Sequence, residues 1–210
     1  MHKFEYVFRK KLFNTKQDLM NLINLVQNKV RKNFTFQYKF TGSSKYNMVT
    51  FIPNFNKGYD FDVDICLNSN ALNYQPKEIV NKIKNALDSY NPFFNYDFTE
   101  SSTSVLTIKV KDKKNSKILY SVDFAMIFKD KSSTTQYIRY DKKKQCYEWQ
   151  LKPEWYYELE SKIYEIKQEI LWNEVRKKYL NKKNENVDNN KKSYSLFLET
   201  INEIYQWINP

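Results

Sequence analysis

Three aspartates alternate with apolar residues in one short segment of the chain, Tyr59–Leu67. Residues two apart on a β-strand point to the same face, so the pattern predicts a strand with Asp60, Asp62 and Asp64 on one face. A row of carboxylates is unfavourable unless a cation, a proton or bulk water compensates it. Carboxylate oxygens are ligands that suit Mg²⁺ or Mn²⁺. The segment therefore favours a metal site, and the alternative is an edge strand whose acidic face is solvated.

Glycine marks the same region, because the chain has only two glycines, Gly42 and Gly58, and both flank the acidic segment. Glycine allows tight turns and close approach of a backbone to a ligand. Gly42-Ser43-Ser44 follows an alternating segment, residues 34–40, that predicts a strand. A turn of this kind can present N–H groups and hydroxyls to phosphate oxygens. The alternative is an ordinary turn.

A fourth aspartate lies in an otherwise apolar segment, residues 118–128. A buried aspartate is unfavourable unless it is paired or binds a metal, since an unpaired buried polar group costs roughly 2–7 kcal/mol. Asp123 is therefore a candidate metal ligand. The alternative is pairing with a nearby lysine or a backbone N–H.

Several catalytic classes are excluded by what the chain lacks. His2 is the only histidine, and Cys66 and Cys146 are the only cysteines. Ser-His-Asp and Cys-His chemistry and zinc sites are thereby excluded. The two glycines are too far apart for a P-loop and too few for a dinucleotide-binding fingerprint. An enzyme built on this sequence would depend on carboxylates and a metal.

The charge and hydropathy of the chain indicate its surroundings. The net charge of +11 favours polyanionic partners such as nucleic acid or nucleotides, although an AT-rich genome would also enrich lysine. No apolar run approaches the roughly 20 residues that a membrane span needs, and the N-terminus lacks the apolar core of a signal peptide. We therefore expect a cytoplasmic protein that does not engage a membrane.

Hydrophobic periodicity predicts an α+β fold. The expected order is a helix capped by Thr15, a strand, the acidic strand, a helix, a hairpin that carries Asp123, a short strand before Pro153 and helices to the end. The expected bounds are 15–32, 34–40, 59–67, 76–90, 105–111 with 118–128, 147–151, 154–182 and 193–208.

Taken together, the motifs resemble the nucleotidyltransferase superfamily that includes polymerase β, and within it the branch of cyclic-GMP-AMP synthase and the bacterial CD-NTases. The residues that carry the resemblance are Gly42-Ser43 with Pro53-Asn54, Asp60-Phe61-Asp62-Val63, Val122-Asp123-Phe124, Trp149 to Pro153, and Ser193-Tyr194. The resemblance implies a mixed β-sheet with flanking helices in residues 1–130, followed by a mostly helical C-terminal lobe in residues 131–210.

The resemblance also implies a set of site residues. Asp62, Asp64 and Asp123 would be catalytic and, with Asp60, would hold two Mg²⁺ or Mn²⁺ ions. The nucleotide would contact the Gly-Ser turn and the C-terminal lobe, at Gly42, Ser43, Ser44, Lys177, Ser193 and Tyr194. Tyr147 and Trp149 are further candidates for stacking on the base, with core packing as the alternative for each aromatic residue.

The register of the acid pair is open, because the connector between Gly42 and the acids is longer than is usual in the family. The pair is Asp60 with Asp62 or Asp62 with Asp64, and the resemblance favours the second, because bacterial members of the family often carry a further acid ahead of the pair. The implied function is transfer of a nucleoside monophosphate from an NTP to a hydroxyl, with release of pyrophosphate. The product is a cyclic or linear oligonucleotide, an extended RNA end or a modified protein. A nucleic acid is expected as acceptor or activator, and the alternative is a non-catalytic nucleic-acid-binding protein. The sequence does not give the oligomeric state.

Overall fold

The computed structural model describes residues 3–53, 55–56, 58–188 and 190–209, without the side chain of Trp155. Asn54, part of the Pro53-Asn54 motif, and Lys57 in the connector lie outside the described residues. The strands are β1 (Glu5–Tyr6), β2 (Phe36–Thr41), β3 (Thr50–Phe51), β4 (Tyr59–Leu67), β5 (Glu100–Ser101), β6 (Leu106–Asp112), β7 (Lys117–Lys129), β8 (Thr135–Asp141) and β9 (Cys146–Leu151). The helices are α1 (Arg9–Val30), α2 (Gly42–Lys45), α3 (Pro76–Asp88), α4 (Asn91–Phe94), α5 (Trp155–Gln168), α6 (Trp172–Glu185) and α7 (Ser193–Ile208).

The chain forms two compact units, Tyr6–Lys152 and Met1–Glu5 with Pro153–Pro210. The sequence places the boundary after residue 130, and the structure places it after Lys152. The difference arises because β8 pairs with β7, and β9 pairs with β8, so this hairpin extends the sheet.

The first unit is built on a mixed sheet in the order β2-β4-β7-β6-β5. Strands β4 and β7 are parallel, and their neighbours are antiparallel. One face of the sheet packs against α1 and α3, and it includes the fully buried side chains of Phe61, Val63 and Ile65. The alternation predicted for the acidic segment is therefore present, and the aspartates occupy the opposite face.

Helix α1 begins earlier than the sequence analysis predicts. Thr15 is a buried residue inside the helix, and its Oγ1 donates to the Lys11 carbonyl at 3.0 Å and lies 3.0 Å from Tyr59 Oη. Leu12 extends the buried stripe by one turn, so the helix begins at Arg9. The hydroxyl of Thr15 therefore contributes to packing against the sheet and caps no helix.

The second unit is helical, with a core of Ile166, Val175, Tyr179, Ile201 and Ile204. The single helix predicted over 154–182 is wrong, because it is two helices, α5 and α6. Ile170 adopts φ +60°, which ends the α-helical path, and the Leu171 N–H turns back to donate to the Ile166 carbonyl at 3.1 Å. The last predicted helix, 193–208, is present as α7. Within the described ranges, no helix has the length and apolar character required to cross a bilayer.

Candidate functional site

Five residues form one row across the sheet, perpendicular to the strands. Asp62 on β4 is the direct partner of Asp123 on β7, and Thr41 on β2 flanks Asp62 on the other side. Asp123 is in turn opposite Thr107 on β6, and Thr107 is opposite Glu100 on β5. Residues in register on adjacent strands point to the same face. The row therefore places two aspartates side by side, although 61 positions separate them in the chain.

A second polar row lies next to the first. Asp60 is opposite Ser121, and Ser121 is opposite Lys109. The Ser121 hydroxyl donates to Oδ1 of Asp60. Lys109 Nζ lies 2.7 Å from both carboxylate oxygens of Glu100, so it joins this row to the first. Asp60 thus belongs to the same polar surface as Asp62 and Asp123.

Asp62 is the least compensated of these carboxylates. In the described part of the chain, no hydrogen bond or ion pair to its side chain is found. Burial, then the negative charges of Asp123, Asp60 and Asp64, raise the pKa of Asp62 to about 6. A carboxylate in this position is stabilised by a proton or by a cation.

Asp123 is held by a neighbouring hydroxyl. The Thr107 hydroxyl donates to Oδ1 of Asp123. Burial raises the pKa of Asp123, the Thr107 hydrogen bond opposes that rise, and the charge of Asp60 adds to it. The pairing that the sequence analysis gave as an alternative for Asp123, with a lysine or a backbone N–H, is replaced here by a threonine hydroxyl.

Asp64 has a different environment. Its side chain is nearly buried, and Oδ2 lies 3.5 Å from Nζ of Lys39, its cross-strand partner on β2. Burial raises the pKa of Asp64, whereas the positive charges of Lys39, Lys152 and Lys45 act to lower it. Its partner on the other side is Ala125, which has no polar side chain. Asp64 therefore lies among lysines, whereas Asp60 and Asp62 lie among carboxylates and hydroxyls.

The first glycine is packed against Asp62. Gly42 has φ +55°, a conformation that L-residues with a side chain rarely adopt. A Cβ at this position would overlap Oδ2 of Asp62. Glycine at this position therefore serves both the turn and the close approach of the Asp62 carboxylate.

The two serines after Gly42 have different surroundings. Ser44 is fully buried, and its hydroxyl donates to the Thr41 carbonyl at 2.8 Å. The Ser44 carbonyl accepts from Nζ of Lys16 at 2.8 Å. Ser43 is half-buried, and its carbonyl accepts the Met48 N–H at 2.8 Å. Ser43 is thus the serine whose side chain is the more accessible to a ligand.

The carboxylates and hydroxyls of the two rows fit a hard divalent cation, since such a cation prefers oxygen ligands. The hydrogen bonds from Ser121 and Thr107 each use one of the two oxygens of Asp60 and Asp123, which leaves the other oxygen of each. In the residues that the structure describes, no three side chains of His, Cys, Asp or Glu are arranged as a complete metal cage. The carboxylates therefore fit a cation by chemistry and by uncompensated charge.

The remaining candidate residues belong to other elements of the chain. Lys177 on α6, and Ser193 and Tyr194 at the start of α7, belong to the helical unit and are exposed. Tyr147 and Trp149 on β9 belong to the sheet unit, where both pack partly buried against its core. The assignment of Lys177, Ser193 and Tyr194 to nucleotide binding stays a prediction.

Sequence reasoning missed the residues that surround the acids. Thr107, Ser121, Lys39 and Lys109 act through cross-strand contacts with Asp123, Asp60, Asp64 and Glu100 respectively. The alternation of β6 could have placed Thr107 on the polar face, but its position opposite Asp123 depends on register. Sequence pattern alone does not give the register between β6 and β7, so it could not identify Thr107 as the partner of Asp123.

Searches with the sequence match no protein-family model and no curated protein. Solved structures do match. Vibrio cholerae DncV cyclic AMP-GMP synthase, a prokaryotic cGAS homolog, matches with a TM-score of 0.59 and 14% identity, over 94% of this chain and 68% of that one. DncV in complex with the linear intermediate 5′ pppA(3′,5′)pG matches at TM-score 0.56 and 14% identity, over 81% of this chain and 45% of that one. CdnC of E. coli MS115-1, solved with ATP, matches at TM-score 0.53 and 14% identity, over 97% and 62%.

These structural neighbours are CD-NTases, bacterial nucleotidyltransferases similar to cGAS, and the chain has their mixed α+β fold. The chain spans roughly half the length of the first structures that it matches, 37% and 45% of them. The resemblance in fold is therefore to part of each of those proteins.

Proposed function

We propose that this chain is a metal-dependent nucleotidyltransferase of the CD-NTase kind, with Asp60, Asp62 and Asp123 as its acid set. The observation that supports this most directly is the Gly42–Asp62–Asp123 arrangement, in which a positive-φ glycine packs on one carboxylate and the second is its cross-strand partner. The fold of the neighbouring structures adds support. The reaction is transfer of a nucleoside monophosphate from an NTP to a hydroxyl, with release of pyrophosphate.

The choice of Asp60 with Asp62 departs from the pair that the family resemblance favours, Asp62 with Asp64. The charge of Asp60 acts to raise the pKa of Asp62 and of Asp123, and the charge of Asp123 acts to raise that of Asp62, whereas the ion pair with Lys39 compensates Asp64. A cation would gain most from the carboxylates that have no positive partner. We therefore propose that Asp64 interacts with the neighbouring lysines and does not bind the metal.

We assign roles to these residues that are consistent with their positions. Asp62, between Thr41 and Asp123, would hold a cation that helps to position the α-phosphate of the NTP. Asp123 has a raised pKa and would accept the proton of the attacking hydroxyl. Two Mg²⁺ or Mn²⁺ ions at Asp60, Asp62 and Asp123 would supply charge neutralisation and lower the pKa of the acceptor hydroxyl. Catalysis of this type depends mainly on positioning and electrostatics, so it needs no histidine.

Positive charge next to the acids would bind the triphosphate. Lys39, Lys45 and Lys152 are close enough to Asp64 to influence its pKa, and Lys45 follows the Gly-Ser turn directly. The outer phosphates would contact this group and the hydroxyl of Ser43. The buried hydroxyl of Ser44 would hold the turn through its bond to Thr41.

The product is proposed by analogy with the neighbouring structures. DncV is a cyclic AMP-GMP synthase, and CdnC was solved with ATP. We propose a cyclic or linear oligonucleotide made from purine NTPs, with an RNA 3′-end as the alternative acceptor.

The test is an assay with each α-³²P-labelled NTP and with mixtures, in Mg²⁺ or Mn²⁺, with and without single-stranded RNA, tRNA and double-stranded DNA. Small phosphatase-resistant products that depend on the metal and disappear in Asp62→Asn would support the proposal. Label on RNA would identify a terminal transferase. Absence of metal-dependent transfer in every condition, with a folded protein, would overturn the proposal.

A further inference from the structure

A concave site lies between β5 and the β8–β9 hairpin of the sheet unit. It has a volume of about 390 Å³ and is lined by Ser101, Ser102, Thr103, Tyr140, Lys142 and Tyr147. Its walls come from the end of β5 with the two residues that follow it, and from the β8–β9 hairpin. The Tyr140 N–H donates to the Thr103 carbonyl at 2.7 Å, which joins the two walls through the backbone. The site is thus built between two hydrogen-bonded segments of one compact unit.

This cleft is separate from the acid rows. Ser101 is in register with Leu106 and Phe124, whose side chains are buried in the core. The adjacent row, which contains Glu100 and Asp123, points to the opposite face because side chains alternate along a strand. The part of β5 that borders the cleft therefore faces away from the carboxylates.

The lining combines three chemistries. Tyr140 and Tyr147 are cross-strand partners with ring centroids 5.1 Å apart and an interplanar angle of 63°. Three residues with hydroxyl groups, Ser101, Ser102 and Thr103, form the opposite wall. Aromatic rings bind planar π-systems, and hydroxyls can donate to or accept from sugar and base atoms.

Lys142 adds a positive charge at the edge of the cleft. It is the first of three consecutive lysines in the β8–β9 turn, and Lys144 is paired with Glu148 at 2.7 Å. In the described part of the chain, no ion pair to Lys142 is found. A ligand that fits this lining would have a planar group for the two rings, polar atoms for the hydroxyls and a negative charge for the lysine. Nucleotide units have this composition, and base–aromatic stacking with basic side chains is the usual way proteins bind single strands.

We propose that this cleft binds one nucleotide unit, with the base against Tyr140 and Tyr147 and the phosphate at Lys142. The volume is within the range of small-molecule sites, roughly 300–1,000 Å³. The unit comes from a free mononucleotide or from a residue of single-stranded RNA. Binding here does not depend on turnover at the acid rows.

The test is fluorescence anisotropy with the full chain and a 3′-labelled, 5′-phosphorylated 12-nucleotide single-stranded RNA, in EDTA to remove divalent ions. Lys142→Ala and Lys143→Ala are the matched pair, since both lysines are exposed and adjacent in the turn, and only Lys142 lines the cleft. We expect Lys142→Ala to weaken binding at least fivefold and Lys143→Ala less than twofold. Equal losses would mean non-specific attraction to a basic protein and would overturn the proposal.

Competition with AMP and UMP identifies the source of the unit. Displacement of the RNA by either mononucleotide, with the same dependence on Lys142, assigns the cleft to free nucleotides. Binding of RNA that neither mononucleotide displaces, again dependent on Lys142, assigns it to a strand. If neither ligand binds with that dependence, the proposal is wrong.

A measurement on the unaltered protein keeps the test independent of folding defects. RNA that contains 5-iodouridine forms photo-crosslinks with aromatic side chains in contact with the base. Mass spectrometry should place the crosslink on Tyr140 or Tyr147. Crosslinks found only at other residues would contradict the proposed position of the base.

Discussion

The Oδ2 atom of Asp62 occupies the space that a Cβ would take on residue 42, so Gly42 and Asp62 fit together only because residue 42 is glycine. The turn that carries Ser43 and the strand that carries the acids are thereby held in contact. This relationship joins two sequence motifs that lie 20 positions apart in the chain.

Gly42→Ala should reduce activity more than stability. The new methyl group must displace the Asp62 carboxylate, and misplacing a catalytic group by about 1 Å can cost roughly 10²-fold in rate. Gly58→Ala is the control, because its Cβ would meet the backbone at Leu119 O, 2.6 Å away, and not an acid. We expect Gly58→Ala to lower Tm while activity per folded molecule is retained. Equal activity losses in both variants would contradict the role of Gly42.

Asp62→Asn should stabilise the protein at neutral pH while it abolishes transfer. The pKa of Asp62 is raised to about 6 in the folded state from an ordinary 3.8, so the folded state binds more protons than the unfolded state between those values. The resulting loss in the free energy of unfolding is absent below pH 4, grows between pH 4 and 6, and is complete above pH 6. A pKa shift of about two units corresponds to about 3 kcal/mol. Thermal denaturation of the wild-type chain and Asp62→Asn at pH 4 and pH 8 measures this loss. The variant should have the higher Tm only at pH 8.

Asp88→Asn provides a control of opposite sign for that experiment. Although burial acts to raise it, hydrogen bonds from Lys84 and Thr99 lower the pKa of Asp88 below its ordinary value. That carboxylate therefore stabilises the fold above its unfolded pKa, and the stabilisation is lost as the pH falls through the folded pKa. Asp88→Asn should lower Tm at pH 8. A gain at pH 8 in both variants would show that the gain in Asp62→Asn is unrelated to its raised pKa.

Mg²⁺ should raise the Tm of the wild-type chain and leave Asp62→Asn and Asp123→Asn unaffected. A ligand that binds only the folded state stabilises it by about 2.7 kcal/mol when present at about 100 times its Kd. A thermal shift titration with MgCl₂ and MnCl₂ measures this without any nucleotide. Equal shifts in all three proteins would assign the ion to a different place on the molecule.

Asp60→Asn and Asp64→Asn should separate the two registers of the acid pair. If Asp60 is the ligand, Asp60→Asn removes an electrostatic contact of the transition state and costs about 10²–10³-fold in kcat. Asp64→Asn then leaves kcat largely intact and changes KM for the NTP, because Asp64 lies among Lys39, Lys45 and Lys152. The reverse pattern would assign the metal to Asp62 with Asp64, the pair that the family resemblance favours.

Thr107→Val should shift the pH dependence of activity. The Thr107 hydroxyl lowers the pKa of Asp123, so its removal raises that pKa further. The acidic limb of the kcat profile should then move to higher pH, since Asp123 must be ionised to accept a proton. Initial rates from pH 5 to 9 measure the shift, and an unchanged limb with full activity would exclude Asp123 as the titrating group.

Local sequence pattern was sufficient for much of the fold. Alternation at Tyr59–Leu67 predicted a strand with its acids on one face, and the apolar stripe of α3 with Pro76 at its start predicted that helix. Both predictions are confirmed because a period of 2 or 3.6 is a property of the chain itself. The same kind of pattern failed to predict one helix boundary. Nothing in the pattern of residues 154–182 indicated that Ile170 would adopt positive φ and divide the helix in two.

The neighbours of the acids were decided by tertiary structure. A β-bulge between Val110 and Lys111 shifts the β6–β7 register by one residue, and without it Asp123 would lie opposite Leu106 instead of Thr107. Likewise, Lys39 pairs with Asp64 because β2 and β4 are antiparallel with that register. The sequence by itself determined which residues are acidic and which face they share. Only the paired sheet decided which carboxylates are compensated, because cross-strand partners are set by register and not by distance along the chain.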